Sequence, residues 1–211
     1  MLHRLAAALA FVLLAPATAG AQARTKPPPA FNALALAGEA IAVLPLTLAA
    51  ADPALARDTA LAVLRDRPRL LRWADSLIGD NLEARAPEVT WVLPPRLRQI
   101  ARRNPGMVPE PDQMGQAVLR APKLKRVPDP LRSGLRSLVS FTGGRYAMVP
   151  AALAFARDTS GAVRADLSLA LADARTGTVA WRALTWGVGA SAEEALAAAL
   201  AAVLPLDTPA R

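Results

Sequence analysis

The stretch Arg145–Val188 constrains the fold more than any other part of the chain. It divides into three apolar runs, RYAMVPAALAFAR, AVRADLSLALADA and TVAWRALTWGV. Asp158-Thr159-Ser160-Gly161 and Ala174-Arg175-Thr176-Gly177 separate them. In the middle run Val163, Ala165, Leu167, Leu169 and Leu171 alternate with Arg164, Asp166, Ser168, Ala170 and Ala172. Successive side chains of a strand point to opposite faces, so this pattern is a strand with one apolar face and one wetter face. The third run alternates too, with Trp181 on one face and Trp186 on the other. Each break holds a glycine, which takes the positive φ of short hairpin loops. Connections this short favour antiparallel pairing over a crossover. The chain therefore builds around a three-stranded antiparallel meander, and the rest must cover it.

The upstream residues read as that cover. Ala40-Ile41-Ala42-Val43-Leu44-Pro45-Leu46 is a short strand apolar on both faces. Thr59–Leu64 fits either an edge strand or a helical turn. Pro68 opens a helix, because proline is tolerated at the first helical position. Leu70, Ala74, Leu77, Ile78 and Leu82 share one of its faces, and Pro87 ends it. Asp66, Asp75 and Asp80 read as its solvated side. Val89–Leu93 is a second strand, stopped by Pro94-Pro95. A helix follows from about Pro95 to Arg103, a short one at 111–120 and a loop at 121–128. Asp129 is placed to cap a further helix, with Leu131, Leu135, Leu138 and Val139 inward and Arg132 and Arg136 outward. Gly143-Gly144 stops it. Ser191-Ala192-Glu193-Glu194 is a capping box, and Leu196, Leu200, Val203 and Leu204 form the buried stripe of a closing helix. The expected class is α+β, a single sheet of about five strands with helices packed on it.

The first 23 residues have the form of a secretory signal peptide. His3 and Arg4 form a charged start, Leu5–Ala15 an apolar run, and Ala21-Gln22-Ala23 a small-x-small cleavage pattern, with cleavage after Ala19 as the second choice. The apolar run is too short to span a bilayer. The expected organisation is a leader over 1–23, a Pro-rich linker over 24–39, one αβ domain over 40–206 and a disordered tail over 207–211. The expected location is the periplasm. The sequence has no Cys, so neither disulfides nor a lipid-bearing cysteine are available, and stability must come from the core.

The order of elements, and three motifs within it, resemble the bacterial envelope family that includes the TolB amino-terminal domain, LpoB and CsgG. The motifs are the apolar strand Ala42–Leu46, the strand opening Gly144–Val149, and the hairpin Leu171-Ala172-Asp173 with Thr176-Gly177-Thr178-Val179. The resemblance spans about residues 40–204. Pro150 stands where that family usually has a second glycine. The resemblance implies a non-catalytic envelope protein that assembles with, or regulates, another envelope component. A homo-oligomer is a further expectation for the chain.

The residues themselves leave little room for chemistry. The only histidine is His3, in the leader. Beyond it there is neither His nor Cys, which removes Ser–His triads, thiol nucleophiles and the commonest metal ligands. No Gly-rich phosphate loop occurs, and no cofactor is expected. A carboxylate-based hydrolase or carbohydrate-active enzyme is the alternative that 17 acidic residues leave open, although no spacing selects a pair.

The asymmetric feature is charge. The chain carries 25 basic against 17 acidic residues. Between Arg96 and Arg126 lie Arg96, Arg98, Arg102, Arg103, Arg120, Lys123, Lys125 and Arg126, against only Glu110 and Asp112. That local +6 suits an envelope protein or an anionic envelope surface. Export and the lack of aromatic residues in the run argue against nucleic acid. An Arg-rich composition accounts for the same run as an ordinary solvated face. The four tryptophans read as core or rim.

Overall fold

The computed structural model describes residues 27–205. The leader, both cleavage positions and residues 206–211 lie outside the described residues. The strands are β1 (Ala40–Val43), β2 (Ala49–Ala51), β3 (Thr90–Val92), β4 (Tyr146–Arg157), β5 (Val163–Asp173) and β6 (Thr178–Gly189). The α-helices are α1 (Pro53–Arg57), α2 (Arg67–Arg85), α3 (Pro94–Arg103), α4 (Leu131–Ser140) and α5 (Ala192–Ala201).

The meander forms as its alternation predicts. β4 pairs antiparallel with β5 and β5 with β6, Leu169 lying opposite both Pro150 and Ala183. Its turns are built by aspartates. Asp158 Oδ1 accepts from the Ser160 and Ala162 amides, at 2.9 Å each. Asp173 Oδ1 accepts from the Arg175 and Thr176 amides, at 2.9 and 3.0 Å. Gly161 and Gly177 close the turns at φ +85° and +73°.

A valine at position 177 would therefore be strained by about 1–2 kcal/mol, and its Cβ would fall 2.6 Å from Arg132 Nε. Thr178→Val keeps a residue that suits a strand and loses the 2.8 Å contact between the Thr176 and Thr178 hydroxyls, worth about 1 kcal/mol. Gly177→Val is expected to lower the melting temperature further than Thr178→Val. Equal melting temperatures would put the turn elsewhere.

The sheet has six strands in the order β3-β1-β4-β5-β6, with β2 pairing farther along β4. β1 runs parallel to both β3 and β4, so the sheet is mixed. β1 is shorter than the run Ala40–Leu46. Pro45 offers no N–H to a ladder, and the Leu46 amide donates instead to Asp75 Oδ1 at 2.7 Å. Leu44 and Leu46 remain buried. Gly144 does more than stop a helix: a Cβ there would sit 1.9 Å from the Ala40 carbonyl oxygen, so β4 can enter beside β1 only with glycine.

Helices cover both faces. On one, α2 and α5 pack over Ile41, Val43, Met148, Leu153, Phe155 and the apolar face of β5. Part of the proline-rich lead joins them: Phe31 is buried, its ring 5.3 Å from that of Trp181 and 6.0 Å from that of Trp91. On the other, α3, α4 and the chain from Val108 to Val127 pack over Ala42, Ala147, Val149, Ala151, Ala170 and Ala172. Those small residues let this layer lie close to the sheet.

Local expectations are refined at four places. Residues 59–64 are a 3₁₀ turn, not an edge strand, after the short α1. The expected helix at 111–120 is two 3₁₀ turns, Pro111–Gln113 and Gln116–Arg120, separated by Gly115 at φ +73°. Asp129 does not cap α4, because Pro130 holds the cap position; its carboxylate accepts from the Ser133 hydroxyl at 2.9 Å. The box at α5 is half as expected. The Glu194 amide donates to Ser191 Oγ at 3.1 Å, while Glu194 reaches past the cap to the Ala190 amide at 2.8 Å.

Candidate binding surface

Open αβ sheets bind small ligands outside the carboxyl ends of their parallel strands. Here the chain from Leu44 to Leu48 runs on from β1 beside β4, the Leu44 amide donating to the Met148 carbonyl and the Leu153 amide to the Leu48 carbonyl, at 2.9 and 3.0 Å. A polar knot sits against it. Asp75, buried on α2, accepts from the Leu46 amide through Oδ1 and from Arg98 through Oδ2, at 2.7 and 2.9 Å. Arg98, on α3, also grips Asp112 with two bonds of 2.8 and 2.7 Å. Gln116, fully buried, donates to the Pro45 and Pro111 carbonyls, at 2.9 Å each. One guanidinium thus joins the helical layers from opposite faces of the sheet.

Burial pushes the Asp75 carboxyl above its ordinary value, against the pull of the Leu46 amide and Arg98. Arg98 is held yet more firmly charged, first by its bonds to Asp112 and despite its partial burial. A buried, perturbed carboxyl is one mark of an active site. Here both Asp75 oxygens are occupied by donors, and Asp75 lines none of the three cavities described below, so the pair is structural. The expectation of a solvated Asp75 fails because its neighbours in space, Leu46 and Arg98, are distant in sequence.

Of the eight basic residues singled out in the sequence, Arg98 is therefore committed to carboxylates. The other seven, Arg96, Arg102, Arg103, Arg120, Lys123, Lys125 and Arg126, are exposed and form no ion pair among the described residues. They project from α3 and from the 116–126 segment, parts of one covering layer. Arg96 bonds only Gln99, Arg120 the Ala117 carbonyl and Arg126 the Thr176 carbonyl.

A residue the sequence reading did not select anchors this segment. Arg182 on β6 donates to the Leu119, Ala121 and Leu124 carbonyls. Among the described residues no carboxylate pairs with it, and desolvation by burial lowers its pKa from the ordinary arginine value. Replacing it with methionine leaves three carbonyls without their donor. Arg182→Met is expected to lower stability by about 1–3 kcal/mol and to speed amide exchange in residues 118–125. Unchanged exchange there would mean that the segment holds itself.

Among the described residues the surface holds cavities at three places of note. One of about 230 Å³ lies at Phe31, Arg85 and Leu204. One of about 380 Å³ lies along β3, between Trp91, Arg96 and Phe141. The largest, about 510 Å³, adjoins the basic segment. Val118 and Pro122 form one wall, Ala152, Ala154 and Ser168 the floor, and Leu184 the far wall, with Arg120 and Asp166 at the rim. Arg164 pairs with Asp166 at 2.6 Å and lies 5.0 Å from the centre of the Trp186 ring. Leu184 is 72% exposed and Trp186 48%. The wetter face of the meander is thus wet only at this end, where the helical layer stops.

Asp173 and Asp158 serve the turns of the meander. Asp173 accepts from Arg145 at 3.0 and 2.6 Å and from the turn amides. Burial alone would raise its carboxyl, but Arg145 and the Thr176 and Arg175 amides outweigh that and hold it at about 2. A carboxyl depressed in the folded state stabilises above its unfolded value, about 3.9, and that contribution vanishes as pH falls from 4 toward 2. The expected contribution is about 2 kcal/mol at neutral pH, less any screening at the half-exposed Arg145. Asp173→Asn should therefore lower stability at pH 7 and flatten the acid limb of a melting-temperature profile. A profile parallel to that of the parent would remove Asp173 as its cause. Asp158, also held low, first by the Ser160 hydroxyl, keeps part of that limb in the variant.

Among the described residues no group of His, Cys, Asp and Glu is placed to hold a metal ion, and no helix is long and apolar enough to cross a membrane.

No protein-family model and no curated protein matches the chain. Solved structures do. The PelC dodecamer from Paraburkholderia phytofirmans is 14% identical, covers 85% of this chain and 92% of its own, and has a TM-score of 0.41. A variant of that dodecamer is 15% identical, with 85% and 94% covered and a TM-score of 0.38. The LpoB C-terminal domain from Escherichia coli is 15% identical, with 71% and 83% covered and a TM-score of 0.35. LpoB thus appears among the structural neighbours, while the TolB and CsgG parts of the sequence resemblance gain no support. At this distance the likenesses assign the chain no function.

Proposed function

We propose that the chain is an exported, non-catalytic envelope protein that binds an anionic partner through the face covered by α3, α4 and the 116–126 segment. The observation that carries the reading is the set of seven exposed cations with no carboxylate partner among the described residues, beside an open apolar groove. Charges of one sign on one layer raise the local concentration of an oppositely charged partner and speed its capture. Export rests on the leader read in residues 1–23 and implies a periplasmic location.

The test is co-sedimentation with envelope fragments at low and high salt. Reversing Arg102, Arg103, Lys123 and Lys125 to Glu should weaken association about tenfold or more, with the circular dichroism spectrum unchanged, since exposed charges contribute little to folding. Parent binding should fall as salt rises, because such charges are screened within about 10 Å at 0.1 M. Undiminished binding by the folded variant would return these residues to an ordinary solvated face. A full-length product retained in the cytoplasm would overturn the export reading, and a periplasmic form beginning at neither Arg24 nor Gly20 would move the cleavage site.

A further inference from the structure

The cationic face ends at an open strand edge. From it we infer that β6 takes up an acidic, extended segment of an envelope polypeptide as an added strand, alternate side chains of which pack against Leu184 and Trp186. The inference deepens the binding reading above and rests on it.

β6 is the outermost strand of the meander side of the sheet. Only its beginning is covered. Arg126 bridges to Thr178, the Val127 amide donates to the Gly177 carbonyl at 2.8 Å, and the Val179 amide to the Lys125 carbonyl at 2.9 Å. From Ala180 to Gly189 no strand among the described residues lies on its outer side. Such an edge presents a row of unpaired N–H and C=O groups, and proteins blunt it with lysine, proline or another charge turned outward. Residues 180–189 hold neither lysine nor proline. Their one charge, Arg182, is spent inward on the carbonyls of the 119–124 segment. The strand instead shows Leu184 and Trp186 to solvent.

A strand added to an edge gains affinity through the main chain and specificity through pockets that take every second side chain. Leu184 and Trp186 are the side chains such a strand would meet on this face, and the groove between Val118, Pro122 and Leu184 lies on their inner side, over β4 and β5. Charge selects the occupant. Arg164 neutralises Asp166 within the groove rim, which leaves Arg120 and, beyond it, Lys123, Lys125 and Arg126 without carboxylates. An acidic strand complements that rim. A second copy would bring equally cationic rims together, on a chain of net charge +8. A lipid surface would leave the N–H and C=O row unpaired.

The probe is an acetylated synthetic peptide alternating glutamate and valine, with two derivatives N-methylated at the glutamates or at the valines. Every second amide of an added strand points at its host. One derivative should therefore bind the purified chain about tenfold or more weaker, and the other within about twofold of the parent peptide. All three carry the same charge. In the bound state the Leu184–Val188 amides should gain protection from exchange. Equal binding by both derivatives would overturn strand addition while leaving the cationic-surface reading intact. Failure of the parent peptide to bind, with charge-dependent co-sedimentation preserved, would do the same. A dimer of the chain that excludes the peptide would assign the edge to a second copy and overturn the inference as well.

Discussion

Asp75→Ala is expected to remove about 3–5 kcal/mol of stability in urea unfolding, a large share of what a domain this size possesses. The carboxylate is buried, with only 6% of its side chain exposed, and its two oxygens answer two donors from different layers. Its loss leaves the Leu46 amide unpaired at the point where β1 gives way to the 44–48 segment. It also strips Arg98, a guanidinium only 25% exposed, of its buried partner. The cost is mostly that of the groups left behind, so it should shrink when both partners go. Asp75→Leu with Arg98→Met ought to recover a substantial part of the loss, because apolar pairs of similar volume replace buried ion pairs well. A loss below about 1 kcal/mol for Asp75→Ala would mean that water reaches the carboxylate.

Asp75 also shows where sequence reasoning stops. The helical face Leu70, Ala74, Ile78, Leu82 was legible because its spacing is set by the helix itself. Asp75 is adjacent to Ala74 on that helix and reads as its wet side. Only the arrival of Leu46 and Arg98 makes its burial tolerable, and neither lies within a helical turn of it. Arg182 was hidden in the same way: on a strand an arginine signals the wet face, and nothing local reveals three carbonyls waiting over it. β2 was illegible for a different reason. Ala49-Ala50-Ala51 has neither the β-branched residues nor the alternation that mark a strand, and it pairs because β4 is long enough to offer an edge beyond Pro45. The meander needed no such help, since its alternation and its aspartate–glycine turns are local. For the candidate surface, the basic run was legible as composition. The groove was not, because it is bounded by Val118, Ala154 and Leu184, which three separate segments bring together.

Gly187→Val is expected to cost more than about 4 kcal/mol or to prevent folding, an effect reserved for a few mechanisms such as strain and overpacking. A Cβ at position 187 would stand 2.3 Å from the Ala199 amide nitrogen and 2.4 Å from the Ala195 carbonyl oxygen. These are backbone atoms of α5, so no side chain can turn aside. The helix would have to rise from the sheet. Nearby contacts would go with it: the Thr185 hydroxyl donates to the Ala199 carbonyl at 2.8 Å, and a Cβ at Gly189 would likewise stand 2.4 Å from Glu194 Cβ and 2.8 Å from the Ala195 nitrogen. Lifting α5 would also uncover Leu196, Leu200, Val203 and Leu204, all buried in that contact. The alanines of this helix are thus more than a bias of composition. Ala195 and Ala199 are fully buried, and side chains this small are what allow helix and strand backbones to meet. Leu184→Val, on the same strand but facing solvent, is the control and should change stability by no more than about 0.5 kcal/mol. Gly187→Ala already carries the offending atom and should lose most of what Gly187→Val loses. Near-neutral unfolding energies for both Gly187 variants would place α5 farther from the sheet. The stabilising role of its small residues would then pass to its leucines alone.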